Sequence, residues 1–371
     1  MLEAQQQAAA YQAALDLQWL LTSPCLLNPA HSAWQSVCLT PAAISQLASQ
    51  HAVDLFAWLD AQLRAPTVLW QWLQSDWQRS AHARSLDNAM PWPAPRLGRY
   101  AEALFAYFLI EGLGLRVGRN LPLREPAGKT LGELDLVWSS PPTPEAPTPN
   151  SVQHTELAVK FYVYRSSAVA PSPDFIGPRG QDRLRYKLQR LKQQLGWSTT
   201  PIGQAAIEGW MASAALPLTS LSMQPAQLRL PGRLFYPWGQ QAPDVSPAWQ
   251  SLLNPVHLRG FWYVLPMAPN TSFHPAPWHA TSVARCPILA DYPDLRWAVL
   301  SRAHWFASID QAQPAHAELL TYDGEAIEAA LRAAASQEYR GHAQPAEVVL
   351  LVAALAQGRE VQRGIVFLSH A

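Results

Sequence analysis

The tightest constraint on how this chain folds is charge placed inside apolar, strand-forming segments. TLGELDLVW carries Asp135 between Leu134 and Leu136, and HTELAVKFYVY carries Glu156 and Lys160 in a run of Leu, Ala, Val and Phe. An unpaired buried charge costs several kcal/mol or shifts its pKa until it neutralises. Such segments therefore fold where the charges meet each other, a cation or water. Upstream, RLGRYAEALFAYFL puts Glu102 in a helix. Acids and one lysine converging from adjacent elements are how a divalent-metal phosphodiesterase site is built.

The chain is long enough, at 371 residues, for two or three domains and a sizeable core. Apolar residues make up 49% and charged residues 15%, which excludes a disordered chain. Basic and acidic residues balance at 27 each, so a nucleic-acid partner would need a local basic groove rather than a basic coat. Cys25, Cys38 and Cys286 are too few and scattered for a disulfide framework or zinc cluster. The opening MLEAQQQAAAYQAAL lacks the basic and apolar regions of a signal peptide, so a cytoplasmic location is expected. The longest apolar run, Val348 to Ala356, has nine residues, against about 20 for a membrane span. The 16 tryptophans read mainly as core: Trp70 and Trp77 repeat at helical spacing, and Trp58, Trp138, Trp262 and Trp297 sit in apolar runs.

Residues 1–90 read as short helices, broken by Pro24, Pro29, Pro41 and Pro66, with Thr40 as an N-cap before Pro41. Residues 91–200 read as one α/β unit. It holds a helix over Leu97–Glu111, strands over Arg116–Leu123, Leu131–Trp138 and Thr155–Tyr164, and a helix over Gln181–Leu195. The proline-rich SSPPTPEAPTPNS reads as a protruding hairpin loop. Residues 201–371 read as α+β, with strands at RLFYPW, GFWYVL, WAVLS and GIVFL and helices at Glu325–Ala335 and Ala346–Ala356. GLGLRVG follows a helix, so it is a helix cap and turn, not a dinucleotide loop. Walker and G-x-S-x-G motifs are absent, and His274 and His279 have no acidic partner in sequence.

Helical periodicity puts Leu97, Ala101, Leu104, Phe105 and Phe108 on one stripe and Glu102 at its edge, partly buried or on the surface. In GELDLVW, Glu133, Asp135 and Val137 share a strand face. Asp135 there fits a metal ligand or a strand-end partner of an arginine. Glu156, Ala158 and Lys160 share a face of the next strand, as parts of a metal site or as a Glu–Lys pair at a wet edge. In the metal reading the acids hold Mg²⁺ or Mn²⁺, and Lys160 orients the attacking water or neutralises the transition state.

In order and spacing, residues 96 to about 195 resemble the PD-(D/E)XK nuclease superfamily. The resemblance implies a restriction endonuclease-like α-β-β-β-α-β core, flanked here by a helical N-terminal region and an α+β C-terminal region. It implies Glu102 as the helix acid, Asp135 as the metal aspartate and Lys160 as the catalytic lysine. Through RLGRYAEALF, TLGELDLVW, HTELAVKFYVY and FIGPRGQDRLRYKLQRLKQQL, the whole chain also resembles the bacterial domain-of-unknown-function family eighteen fifty-three, which is placed with PD-(D/E)XK-like proteins. One departure matters. The superfamily's second acid stands two residues before the lysine, where this chain has Ala158. Glu156 is four residues before Lys160, about 13 Å along an extended strand. Either a bulge shortens that gap, or Glu133 supplies the missing oxygen, or the site does not cleave.

From Arg165 to Leu195 seven basic residues face only Asp174 and Asp182. Leu184, Leu188, Leu191 and Leu195 form an apolar seam, leaving Arg183, Lys187, Arg190 and Gln193 on the flanks. These are candidates for sequence-blind phosphate contacts, the alternative being a solvated helix face. Three functions stand: a Mg²⁺- or Mn²⁺-dependent nuclease on DNA or RNA, a degenerate nucleic-acid-binding module, and a protein-interaction scaffold.

Overall fold

The structure, a computed structural model, describes residues 2–79, 96–125, 128–140, 151–167, 170–180, 182–216, 222–238, 245–266, 292–324, 326–338 and 347–369. His274, His279, Cys286 and nearly all of the proline-rich stretch after Trp138 lie outside them.

Four helices open the chain: α1 (Leu2–Thr22), α2 (Pro41–Gln50), α3 (Leu55–Arg64) and α4 (Pro66–Arg79). Thr40 caps α2 as its sequence suggests, its hydroxyl accepting from the Ala43 N–H at 3.2 Å with Pro41 in the first turn. Asp54 does the same for α3, accepting from Phe56 and Ala57 at 3.0 and 3.1 Å. Helix α5 (Leu97–Tyr107) is buried all round from Tyr100 onward, because α1 and α4 cover the side that the single apolar stripe leaves open. Leu17, Leu20, Leu69, Leu73, Leu104 and Phe105 share its core. Glu102 is thereby carried into the interior. A π-helical turn over Phe108–Gly112 and Gly114, at φ +68°, end this helix.

Next come β1 (Arg116–Arg124), β2 (Thr130–Ser139), β3 (Ser151–Leu157), β4 (Lys160–Ser167), β5 (Ala170–Ile176), α6 (Leu184–Trp197) and α7 (Pro201–Ser213). The remaining elements are β6 (Ser222–Met223), β7 (Gln227–Arg229), β8 (Gly232–Pro237), α8 (Pro247–Leu252), β9 (Leu258–Pro266), β10 (Arg296–Leu300), α9 (Ala326–Glu338), β11 (Glu347–Ala356) and β12 (Arg359–Ser369). They make a mixed α/β fold with two mixed sheets. In the first, β1, β2 and β3 are antiparallel neighbours, and β6 and β7 join β3 in parallel. The second runs β10-β11-β12-β9-β8-β4-β5.

The strand expected over Thr155–Tyr164 is two strands in two sheets, parted at Ala158 and Val159. Its neighbour parts at the same level, at Leu230 and Pro231. Pro231 has no N–H to extend a flat ladder. Pairing survives around the bend: the Ala158 N–H donates to the Arg229 carbonyl at 3.0 Å, and the Lys160 N–H to that of Pro231 at 3.2 Å. Gly232 makes this possible, since a Cβ there would stand 1.9 Å from the Lys160 oxygen.

The expected helix over Ala346–Ala356 is strand β11, held between β10 and β12. A central strand buried on both faces reads as a continuous apolar run without alternation. Its valines at 348, 349 and 352 suit a strand better than its alanines suit a helix. Trp138, Trp262 and Trp297 are core residues as expected. Among the described residues no helix is long and apolar enough to cross a membrane.

One buried acid belongs to the frame. Asp16 of α1 accepts from the Tyr100 hydroxyl (3.0 Å), the Gln12 amide (2.9 Å) and the Ala307 N–H (3.2 Å), tying α1 to α5 and to the C-terminal region. Burial outweighs these bonds and pushes its carboxyl up to about 7. Unfolded, it titrates near about 3.9. The folded protein therefore holds the extra proton between these values, and stability falls as pH rises through 7. Asp16→Asn should flatten that slope by up to one proton, measured as unfolding free energy in urea from pH 5 to pH 8. A slope equal to that of the native chain would show that Asp16 is ionised throughout.

Candidate functional site

Antiparallel register builds the site. β2 and β3 pair Val137 with His154 and Leu136 with Thr155, so one step further sets Asp135 beside Glu156. Side chains so opposed share a face with Cβ atoms about 5 Å apart. Glu156 is fully buried and Asp135 nearly so. The Leu157 N–H donates to Asp135 Oδ2 at 3.1 Å, and His154 Nε2 lies 2.9 Å from Glu156 Oε1. Burial, then the Glu156 charge, pushes the Asp135 carboxyl up to about 7. Burial likewise pushes Glu156 up to about 7. The buried His154 ring falls to about 4, so it is neutral at pH 7 and serves Glu156 as an Nε2–H donor. Glu156 Oε2 is buried and meets no hydrogen-bond donor. Two such carboxylates at neutral pH hold a shared proton or a cation.

Glu102 enters from α5. Burial first, and then Asp135, pushes it up to about 7, opposed by Arg99, Arg119 and a hydrogen bond from the Asn120 side chain. Arg99 is a clamp: one guanidinium nitrogen lies 3.1 Å from Glu102 and another 2.8 Å from Glu133. Glu133 is thus half-exposed and held by Arg99 at the rim. Asn120 takes the left-handed backbone, φ +52°, which asparagine tolerates better than most residues.

The cations come from α6 and β4. Lys187 is half-buried; burial and Lys160 lower its pKa, while Asp135 and Glu156 oppose that shift. It therefore faces the acid pair with Lys160 beside it. Lys160 itself is engaged: its ammonium lies 2.7 Å from Asp182 Oδ2, which also accepts from the Tyr162 hydroxyl at 2.9 Å. Ala158 points away, into the apolar cluster with Tyr162 and Leu184. Arg183 is the half-buried N-cap residue of α6, and Arg190 and Gln193 are exposed. Gln194 is the buried amide; it shares the Lys187 face of α6, and its Oε1 meets no hydrogen-bond donor. Three other basic residues of this segment have acidic or aromatic neighbours. Arg185 pairs with the buried Asp174 at 2.6 Å, Arg165 lies over the Phe367 ring and Lys192 over that of Trp34.

The sequence reading missed Arg99, His154 and Asp182. The Arg99–Glu102 spacing of three along a helix is a legible signal; the other two emerge only from pairing and tertiary approach. Among the described residues no three His, Cys, Asp or Glu side chains form a ready group to hold a metal ion. The Asp135–Glu156 pair alone is the fit to a divalent cation: hard oxygens, one of them without a donor. Mg²⁺ is commonly held by one or two carboxylates, with water and phosphate completing its shell.

Helix α6 reaches the sheet because β2 carries Gly132. A Cβ at Gly132 would stand 2.3 Å from the Trp197 ring. Gly132→Ala should destabilise the chain by about 1–3 kcal/mol in denaturant titration, since the rigid indole and its helix must shift. Native-like stability in that variant would mean that α6 is not seated on β2.

No curated protein and no solved structure matches this chain. A family model, Domain of unknown function (DUF1853), matches residues 15–367. With nearly its whole length covered, the chain belongs to the DUF1853 family.

Proposed function

We propose that this chain is a PD-(D/E)XK-like phosphodiesterase that cuts DNA or RNA in the cytoplasm with Mg²⁺ or Mn²⁺. One observation carries the reading: Asp135 and Glu156 face each other in the interior across β2 and β3, with Glu102 and Lys187 near enough for their charges to act on the pair. The element order supports it. Helix α5 and the antiparallel β1–β3 come in the order of the α-β-β-β-α-β plan, and β7 lies parallel to β3 after α6 and α7, while β4 and β5, inserted before α6, go to the second sheet.

Asp135 and Glu156 would hold the metal, giving up their shared proton. When bound, the ion lowers the pKa of a water and stabilises charge on phosphate oxygens. Glu102, balanced by Arg99, keeps the pocket negative. The low-dielectric setting strengthens the pull of the Lys187 ammonium on a phosphate. Lys160, retained by Asp182, is the second cation at this site, and Arg183 and Arg190 flank it on α6.

Purified protein with Mg²⁺ or Mn²⁺ should nick or degrade labelled DNA or RNA. Asp135→Asn and Glu156→Gln should each lower the rate at least about a hundredfold, the scale of losing one main electrostatic element. Lys187→Met should cost more than Lys160→Met. Cleavage that survives both acid variants would sink the reading.

A second reading is a nuclease fold without catalysis, binding nucleic acid or protein. Ala158 buried in the core and Lys160 tied to Asp182 favour it. Calorimetry separates the two. In the first, Mn²⁺ binds near pH 6.5 with proton release, seen as a buffer-dependent enthalpy that Glu156→Gln removes. In the second, Mn²⁺ gives no heat and nucleic-acid binding ignores chelators.

A further inference from the structure

Helix α6 has two working faces. Lys187 is within the field of the acid pair, on the side of the helix where Gln194 also lies, and the helix packs against β3. Arg185, Leu188 and Lys192, on another side of the helix, form one wall of a groove of about 400 Å³. The other wall comes from α8, through Trp249 and Leu252, and from the turn at residues 31–34.

The lining has a consistent chemistry. Its floor is apolar and aromatic, and among the described residues no acid lines it. Trp249 is half-buried and braced edge-to-face by Phe175, ring centroids 5.2 Å apart at 86°. The Lys192 ammonium stands 5.2 Å over the Trp34 ring, on an exposed part of the helix. Buried Asp174 neutralises Arg185 and fixes it as a wall, which leaves Lys192 as the cation that faces outward. Thus an aromatic slot stands beside one exposed ammonium. Its volume suits a single small ligand unit and is far too small for a duplex.

We propose that this groove takes one base of a single-stranded nucleic acid, laid against Trp249 and Leu252, with the adjoining phosphate on Lys192. A planar base with an attached anion complements both features at once, and stacking of this kind is indifferent to sequence. The inference rests on the nucleic-acid part of the reading above but not on cleavage.

The test is fluorescence anisotropy with a labelled oligothymidylate of twelve nucleotides, in EDTA so that the acid pair carries no metal. Trp249→Ala should weaken binding roughly fivefold to a hundredfold, the value of one stacked base. Ala248→Glu is the second variant. It is exposed on α8 at the groove edge, leaves the Phe175 contact intact and should weaken binding by a similar factor. Lys192→Ala should reduce the salt slope by about 0.7, one phosphate contact on a single strand. Affinity for a blunt duplex should stay the same in all three. A native chain that does not cleave with Mg²⁺ or Mn²⁺ but keeps the Trp249 dependence in EDTA would count against the phosphodiesterase reading alone. The proposal is overturned if the native chain does not bind the oligonucleotide, or if Trp249→Ala and Ala248→Glu both bind it with native affinity. It is equally overturned if an acidic, tyrosine-rich peptide binds and only that binding is lost in the two variants, which would make the groove a protein-docking site.

Discussion

The rest of the molecule is arranged around two carboxylates that face each other across β2 and β3. Asp135 and Glu156 cannot both be ionised in an interior without a proton or cation between them. Three neighbours answer that requirement. His154 and the Leu157 N–H each donate to one of the acids, and Lys187 brings positive charge from α6. Glu102 adds a third acid rather than relieving the first two, and it is itself balanced by Arg99. A site that concentrates unsatisfied negative charge and keeps water out is costly to fold. It is the arrangement expected where binding a cation returns the energy.

The bend after Leu157 gives this pair its geometry. Had the chain run straight to Tyr164, Ala158 and Lys160 would share the face of Glu156. Instead β3 stops, the path shifts into the second sheet, and Lys160 turns to Asp182. Arg229, opposite Leu157, anchors the bend. Its guanidinium is fully buried and donates to the carbonyls of Leu20 and Ser23 and to the Cys25 sulfur. A guanidinium stays charged even here, so the carbonyls that end α1 take the place of water around it. The helical N-terminal segment thus braces the junction of the two sheets.

Much of this was legible in the residues, and the illegible remainder has identifiable causes. Glu102, Asp135 and Glu156 stood out because charge inside an apolar run demands a partner; all three are buried, and the strand register sets Asp135 beside Glu156. The hairpin β2–β3 was visible as two strands around a proline-rich insertion. Its register was not, since no local rule places Asp135 opposite Glu156 across a long loop. The break at Ala158–Val159 was hidden because its cause, Pro231, lies in the neighbouring strand and not in the segment itself. β11 was misread because burial on both faces erases the alternation that identifies strands. The basic run after Arg165 looked like one field; in three dimensions Arg165 lies over the Phe367 ring, Arg185 pairs with Asp174, and Lys192 stands exposed beside Trp34.

That division of α6 changes what a lysine at a given position means. Position in the motif points to Lys160, but electrostatic neighbourhood points to Lys187. The strand lysine has a carboxylate at 2.7 Å and a partly exposed side chain, whereas the helix lysine is half-buried within the field of two buried acids. An ammonium already satisfied by Asp182 must break that pair before it can neutralise a phosphate. The electrostatic setting therefore singles out the helix lysine, and α6 approaches the sheet because Gly132 leaves room for the Trp197 ring on the strand that carries Asp135.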